Sequence, residues 1–171
     1  MMTTKANIDT FITCDLLDEH PTCQVCMANM EGKRFFNYGG KTKFGGEVVT
    51  VKCFEDNSRV KELVATEGKG KVLVVDGGAS MRCALLGDMF AQSAVDHGWA
   101  GVIIYGCVRD VDEMAQMPIG VQALGSIPRK SNRQGIGEVN VDISFGGMQI
   151  KPGMFIYADN NGIILSESAL I

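Results

Sequence analysis

An arginine and an aspartate stand side by side at Arg109-Asp110, in "YGCVRDVDEM" (105–114), just after the apolar run "GVIIYG" (101–106). A second carboxylate, Asp88, lies 21 residues upstream in "GDMF" (87–90), where a helix is expected to begin. The first backbone N–H groups of a helix have no partner within it and carry partial positive charge, so they favour a bound carboxylate or phosphate. Gly87 removes a side chain at the point of closest approach. Carboxylates and waters suit Mg²⁺ or Mn²⁺, which take only one or two protein ligands. The planar arginine fork suits a carboxylate or an enolate oxygen. These groups together fit chemistry on a 2-oxo acid. A divalent ion would chelate the keto and carboxylate oxygens and act as a Lewis acid on the enolate left by C–C cleavage. No lysine is placed for a Schiff base. The plainer alternative is a surface Arg-Asp ion pair, with Asp88 acting only as a helix cap.

These residues must be positioned by the elements around them. Apolar residues at 8, 11, 12, 16 and 17 predict a helix over 7–19, capped by Asn7 or Asp9. A Gly-rich polar stretch, 28–46, predicts a loop, and "GEVVTVKCF" (46–54) a β-branched strand. "NSRVKELVATEG" (57–68) predicts a helix capped by Asn57 or Ser58 and stopped at Gly68. Then follow a buried strand in "KVLVVDGG" (71–78), a helix in "GDMFAQSAVDHG" (87–98) and a buried strand at 101–106. Continuous apolar strands separated by a helix predict a parallel pair covered on both faces, with ligands beyond the strands' carboxyl ends. Short strands follow in "GVQALGSIP", "EVNVDISF", "MQI", "MFIYAD" and "GIILS". "FGG" at 44–46 and again at 145–147 predicts bulges or tight bends. The expectation is one α/β domain over 1–171, a small parallel βαβ unit joined to an antiparallel β layer.

Composition narrows the function classes. The chain has 171 residues, 46% hydrophobic and 21% charged, with a formal net charge of -4. That balance argues against a protein that tracks nucleic-acid phosphates. The one local basic cluster, "PRKSNR" (128–133), reads first as a solvated loop and second as an anion or partner patch. No apolar run reaches the length of a membrane span, and no secretory signal is legible, so a cytoplasmic protein is expected. The six cysteines then read as reduced thiols, with Cys53 and Cys107 in the core. His20, Cys23 and Cys26 lack the second ligand pair that a zinc site needs.

The blocks "FGGEVVTVKCFEDN", "KVLVVDGG", "YGCVRDVDEM" and "YADNNGIILSE" resemble, in order and over about residues 12–168, the family of the regulator of ribonuclease activity A (RraA). That family also contains the metal-dependent 4-hydroxy-4-methyl-2-oxoglutarate aldolases. Its aldolases share a D-x20-R-D pattern, which Asp88, Arg109 and Asp110 reproduce. The resemblance implies a swivelling β/β/α fold, Mg²⁺ or Mn²⁺, and pyruvate-forming aldol cleavage with oxaloacetate decarboxylation alongside. By the same resemblance Asp110 ligates the metal and Arg109 holds a substrate oxygen. The Gly87, Asp88, Met89 and Phe90 backbone binds substrate, and Asp88 orients or deprotonates a metal-bound water. It also implies a homotrimer, or a dimer of such trimers, with sites near subunit interfaces. The family's regulators imply an alternative: a non-catalytic protein that binds and inhibits an RNase E-type endoribonuclease. The chain ends at Ile171, soon after the last strand, without the longer acidic tail of some aldolases. A methyltransferase of the common type needs a Gly-rich loop that opens a helix, whereas "EGKGKV" (67–72) precedes a strand.

Several other residues carry plainer expectations. Asp76 reads as a strand-end turn residue, Asp112 and Glu113 as a solvated turn or first helical turn, and Asp159 as a hairpin turn. Arg82 reads as a surface cation, and Trp99 as packing at the end of the 87–97 helix.

Overall fold

The apolar β-branched runs form one twisted sheet. The computed structural model describes residues 7–171. In chain order the elements are α1 (Thr13–Glu19), β1 (Gln24–Val25), β2 (Phe36–Asn37), β3 (Phe44–Lys52), α2 (Ser58–Val64), β4 (Lys71–Asp76), β5 (Ala84–Leu86) and α3 (Asp88–Asp96). They continue with β6 (Gly101–Val108), α4 (Val111–Met114), β7 (Gly120–Ser126), β8 (Glu138–Val139), β9 (Ile143–Phe145), β10 (Met148–Ile150), β11 (Phe155–Asp159) and β12 (Gly162–Ser166). A single 3₁₀ turn spans Ala28–Glu31. The main sheet runs β1-β12-β11-β3-β4-β6-β7-β2. Its centre, β3-β4-β6-β7, is parallel, and β11, β12 and β1 extend it antiparallel on one side. The parallel unit is therefore larger than the sequence suggests, since the flanking strands at 44–52 and 120–126 join it.

Side chains alternate across this sheet as the pleat requires. Val51, Leu73, Val75, Ile104 and Val121 pack on one face against Val60 and Val64 of α2 and Phe90, Ala91 and Ala94 of α3. Val48, Val72, Val74 and Ile103 pack on the other face against the β9–β10 hairpin and β11. The result is three layers, hairpin on sheet on helices, which agrees with the expected β/β/α arrangement. Cys53 and Cys107 are buried as expected, and burial pushes the Cys53 thiol up to about 12.

Some elements are shorter than their periodicity predicts. The expected helix over 7–19 starts only at Thr13, and no side chain caps it. Asn7 instead closes a separate turn: its carbonyl accepts from Thr10 and Phe11, and its Oδ1 accepts from Asp9. The second helix ends at Val64, and its first turn is bonded by Asp56 Oδ1 to the Ser58 N–H at 2.9 Å, not by Asn57 or Ser58. Gly68 serves packing: a Cβ there would lie 2.2 Å from the Trp99 indole. The two "FGG" runs also differ in role. Gly146 and Gly147 turn the β9–β10 hairpin at positive φ, but Gly45 and Gly46 sit in the ladder of β3, where a Cβ on Gly45 would strike the Tyr157 ring.

Asp159 ends β11 at the β11–β12 hairpin turn, as expected, and is also a buried anchor. Its carboxylate accepts from the Thr13 N–H (2.8 Å), the Thr13 hydroxyl (2.7 Å) and the Asn161 N–H (2.8 Å). Burial works to raise its pKa, but these donors outweigh burial and hold it below the ordinary 3.8. A lowered folded pKa gives stability that is full above the unfolded value and is lost as pH falls through the folded one. Thr13→Val removes one donor to a buried charge and is expected to cost about 2 kcal/mol near neutral pH. In urea unfolding at pH 7 and near pH 3, the gap between the variant and the parent protein should narrow at the lower pH.

Candidate functional site

The site forms where two chain segments leave the sheet side by side. β5 pairs in parallel with the end of β6, Ala84 beside Cys107 and Leu86 beside Val108. The Arg109 N–H then donates to the Leu86 carbonyl at 2.9 Å. Gly87, the N-cap of α3, is thereby set next to Arg109 and Asp110. The short strand β5 does this positioning, and no strand was expected there.

Asp110 adopts φ 55°, ψ 44°, a left-handed conformation that costs energy for a non-glycine residue but that Asp tolerates better than most. This turn aims its carboxylate back at α3, and Oδ2 accepts the Asp88 N–H at 3.0 Å. Asp88 is therefore not the cap of its own helix. It stands at the first helical position, and Asp110 supplies the capping anion from another element. Among the described residues nothing hydrogen-bonds Asp110 Oδ1. A Cβ on Gly87 would lie 2.5 Å from Asp110 Oδ2 and 3.3 Å from the Arg109 Cγ, so only glycine permits this approach.

Arg109 is held loosely. Its Nε lies 3.9 Å from Asp110 Oδ2, and one terminal nitrogen donates to the Pro128 carbonyl at 3.5 Å. Its side chain is 35% exposed and that of Asp110 34%, which leaves both open to a ligand. The expected surface ion pair is thus present but long, and the carboxylate is engaged chiefly with the helix.

These residues line one narrow cleft of about 40 Å³, room for roughly three waters. Gly87, Asp88, Met89, Phe90, Arg109 and Asp110 all border it. The Met89 side chain is 78% exposed, whereas Phe90 is buried at the base of α3. Three further residues join the cleft: Asn57, Lys130 and Arg133. Two of them come from "PRKSNR", which reads more readily as a solvated loop. An Ala84 N–H to Arg129 carbonyl bond of 2.8 Å ties that loop to β5, and the Arg133 guanidinium lies 5.1 Å from the Phe90 ring centroid. Its density of charge in a chain otherwise poor in basic runs was the available signal.

Other candidates fall elsewhere. Asp76 Oδ1 closes a turn onto the Gly78 N–H. Arg82 pairs with Glu55 at the surface. Asp112 and Glu113 are exposed on α4. Trp99 is buried and donates from Nε1 to the Thr66 carbonyl at 3.0 Å. A larger cavity, about 600 Å³, opens between the sheet edges β1 and β2, but its one carboxylate, Asp159, is already bonded to Thr13 and Asn161.

The donor set suits a hard cation of modest demand. Among the described residues no three His, Cys, Asp or Glu side chains cluster as a metal cage. Asp110 offers one unengaged carboxylate oxygen in a polar cleft with space for waters. Mg²⁺ binds in that manner, through one or two carboxylates while it keeps several waters.

Comparison with known proteins gives the family. The RraA-like family model (Aldolase/RraA) matches residues 13–165. A protein of Acinetobacter baylyi named "Putative 4-hydroxy-4-methyl-2-oxoglutarate aldolase" is 62% identical over 94% of this chain and 96% of its own. One of the same name from Alcanivorax borkumensis is 58% identical over 95% of this chain and 99% of its own. The structure of the RNA-processing inhibitor RraA from Thermus thermophilis superposes with a TM-score of 0.88 at 41% identity, covering 93% of this chain and 94% of that one. A Geobacillus kaustophilus structure described as an S-adenosylmethionine:2-dimethylmenaquinone methyltransferase superposes with a TM-score of 0.89 at 46% identity, covering 94% and 97%. In the present chain Gly68 and Gly70 lead into β4 and open no helix, so the loop that a nucleotide-like cofactor needs is not formed there. With a family model covering most of its length and relatives well above half identical, the chain belongs to the RraA-like family.

Proposed function

We propose that this protein is a divalent-metal-dependent lyase that cleaves 4-carboxy-2-oxo acids to pyruvate, a 4-hydroxy-4-methyl-2-oxoglutarate aldolase that also decarboxylates oxaloacetate. The observation that carries it is the meeting of Gly87, Arg109 and Asp110 around one cleft, with Asp110 bonded to α3 through one oxygen and free at the other. The names of the closely similar relatives support it. Asp110 would hold Mg²⁺ or Mn²⁺, which when bound supplies Lewis-acid polarisation of a 2-oxo group. Arg109 grips the substrate's carboxylate or keto oxygen with its loosely committed fork and stabilises negative charge that develops there. The Asp88 N–H is already taken by Asp110, so Met89 and Phe90 present the free N–H groups of the α3 N-terminus to the substrate. Asp88 orients a water and exchanges its proton. Lys130 and Arg133 border the same cleft and would supply cations for the remaining carboxylate, which matches a substrate with an acid group at each end.

A cleft of about 40 Å³ does not enclose such a substrate, so Lys130 and Arg133 must turn toward it and further wall must come from outside one chain. A homotrimer, or a dimer of trimers, with the cleft at the subunit boundary meets that need. The protein is read as a single cytoplasmic domain. Among the described residues no helix is long and apolar enough to cross a membrane.

A second reading is favoured by the superposition on the RNA-processing inhibitor RraA: a surface that binds and restrains an RNase E-type endoribonuclease. The deciding assay is pyruvate release from 4-hydroxy-4-methyl-2-oxoglutarate and from oxaloacetate, coupled to lactate dehydrogenase. Activity with Mg²⁺ well above the metal-only background, abolished by EDTA and restored by added metal, is expected. Background rates on both substrates, together with inhibition of an RNase E-type enzyme that persists in Asp110→Ala, would establish the regulator instead.

A further inference from the structure

Asp56 stands two residues before α2 and is 2% exposed, and it does not border the cleft. Its Oδ1 accepts the Ser58 N–H at 2.9 Å, and its Oδ2 accepts the Gln134 N–H at 2.7 Å. Burial works to raise its pKa, but donors on Ser58 and Gln134 outweigh burial and hold it below the ordinary 3.8. One anion thus joins the start of α2 to the loop that carries Arg133. Neighbouring bonds strengthen the link. The Asn132 N–H donates to the Glu55 carbonyl at 2.9 Å, the Asn57 N–H to the Asn132 carbonyl at 3.2 Å, and the Gly135 N–H to the Ser58 hydroxyl at 2.9 Å. Arg133 therefore has a pinned neighbour on each side, Asn132 and Gln134. Its guanidinium rests 5.1 Å from the Phe90 ring centroid, at the cleft, and among the described residues it makes no ion pair. An ionised carboxylate is costly to bury, and what this one holds in place is the backbone under a cleft arginine.

The two substrates of the proposed reaction differ in what an arginine can do for them. In 4-hydroxy-4-methyl-2-oxoglutarate the C3–C4 bond breaks, and the C5 carboxylate passes unchanged into the second pyruvate. A cation on that carboxylate helps the substrate and the transition state alike. In oxaloacetate the C4 carboxylate itself leaves as CO2 and gives up its charge, so a cation on it favours the starting state and not the transition state. We propose that Asp56 is a positioning residue, which fixes the backbone at Gln134 so that Arg133 meets the C5 carboxylate of a 2-oxoglutarate skeleton and favours aldol cleavage over decarboxylation. The inference rests on the lyase reading and adds a determinant of substrate choice to it.

Asp56→Asn tests this with little change of shape. Its amide oxygen can still accept the Ser58 N–H, but its amide nitrogen then meets the Gln134 N–H donor to donor. With Mg²⁺ present, the calorimetric Kd of 2-oxoglutarate is expected to rise about tenfold, within the range of one hydrogen bond to a charged group. The Kd of pyruvate, which has no second carboxylate, should stay within about twofold. KM for 4-hydroxy-4-methyl-2-oxoglutarate should rise by the same factor with kcat little changed, and the ratio of its kcat/KM to that of oxaloacetate should fall. A merely structural role would weaken both ligands and both reactions together. Arg133→Ala should reproduce the pattern, and Asp56→Asn placed on it should add no more than about twofold. If Asp56→Asn does not fold, Ser58→Ala decides: it frees only the Gly135 N–H, and should raise the 2-oxoglutarate Kd about threefold, as for one neutral hydrogen bond, and leave pyruvate alone. Equal loss for 2-oxoglutarate and pyruvate, no loss for either, or full additivity with Arg133→Ala would overturn the inference while leaving the lyase reading intact. Parent protein inactive on both substrates with metal present would overturn the lyase reading itself, and this inference with it.

Discussion

An Asp110→Asn protein is expected to keep its fold and lose lyase activity by on the order of a thousandfold in kcat/KM, the upper range for removing one group that faces developing charge. The substitution is chosen for what it leaves alone. Asn is among the residues that tolerate the left-handed φ of 55° found at this position. Its amide oxygen can still accept the Asp88 N–H, so the α3 N-terminus remains capped. What disappears is the negative charge and the second carboxylate oxygen, the one that makes no hydrogen bond among the described residues. A melting temperature within about 1 °C of the parent, below the roughly 2–4 °C that losing a cap of about 1 kcal/mol would cost a chain of this size, would show that the cap survives. Activity above a tenth of the parent's under saturating Mg²⁺ would show that Asp110 serves α3 and not the reaction. Asp110→Ala is a poorer test, because it removes the cap and the charge together.

The parts of this site that the sequence shows are those built on contiguous chain. The apolar run ending at Val108 announces a strand, so Arg109 and Asp110 are visibly at its carboxyl end. Gly87 before a helical period announces the start of α3. What brings the two together is less visible. β5 has only three residues, follows a turn rich in Gly and Ser, and gains its conformation by pairing with β6, so no local periodicity marks it. The exchange of roles at α3 is equally hidden: Asp88 has the composition of a cap, yet the cap is Asp110, 22 residues away. Lys130 and Arg133 read as solvated because their loop has no periodicity, and only its tie to Ala84 shows where it lies. Asn57 reads as a helix cap, and nothing short of the packed structure shows its Oδ1 without a partner among the described residues. The early start predicted for α1 failed in the same way, since Phe11 is buried against Tyr157 and not on a helix face.

Gly87→Ala is expected to separate the geometry of the site from its stability. The backbone there is extended, φ −135° and ψ −167°, so alanine carries no conformational penalty. The conflict is local: the new methyl would stand 2.5 Å from Asp110 Oδ2. A flexible side chain would swing clear at little cost. Asp110 is short, its backbone is fixed in the left-handed turn, and its Oδ2 is tied to the Asp88 N–H. Moving that carboxylate breaks the cap, worth about 1 kcal/mol at this half-exposed position, and shifts the free oxygen on which the proposed metal site depends. A displacement of about 1 Å in a catalytic group costs on the order of a hundredfold in rate. The expected result is a melting temperature lowered by only about 2–4 °C, with kcat/KM down a hundredfold and a weaker response to added Mg²⁺. The two substitutions act through one carboxylate, so they should not add. Placed in the Asp110→Asn protein, Gly87→Ala should cost little further activity. Full additivity of the two losses would mean that Gly87 serves the substrate directly and that its approach to Asp110 is incidental.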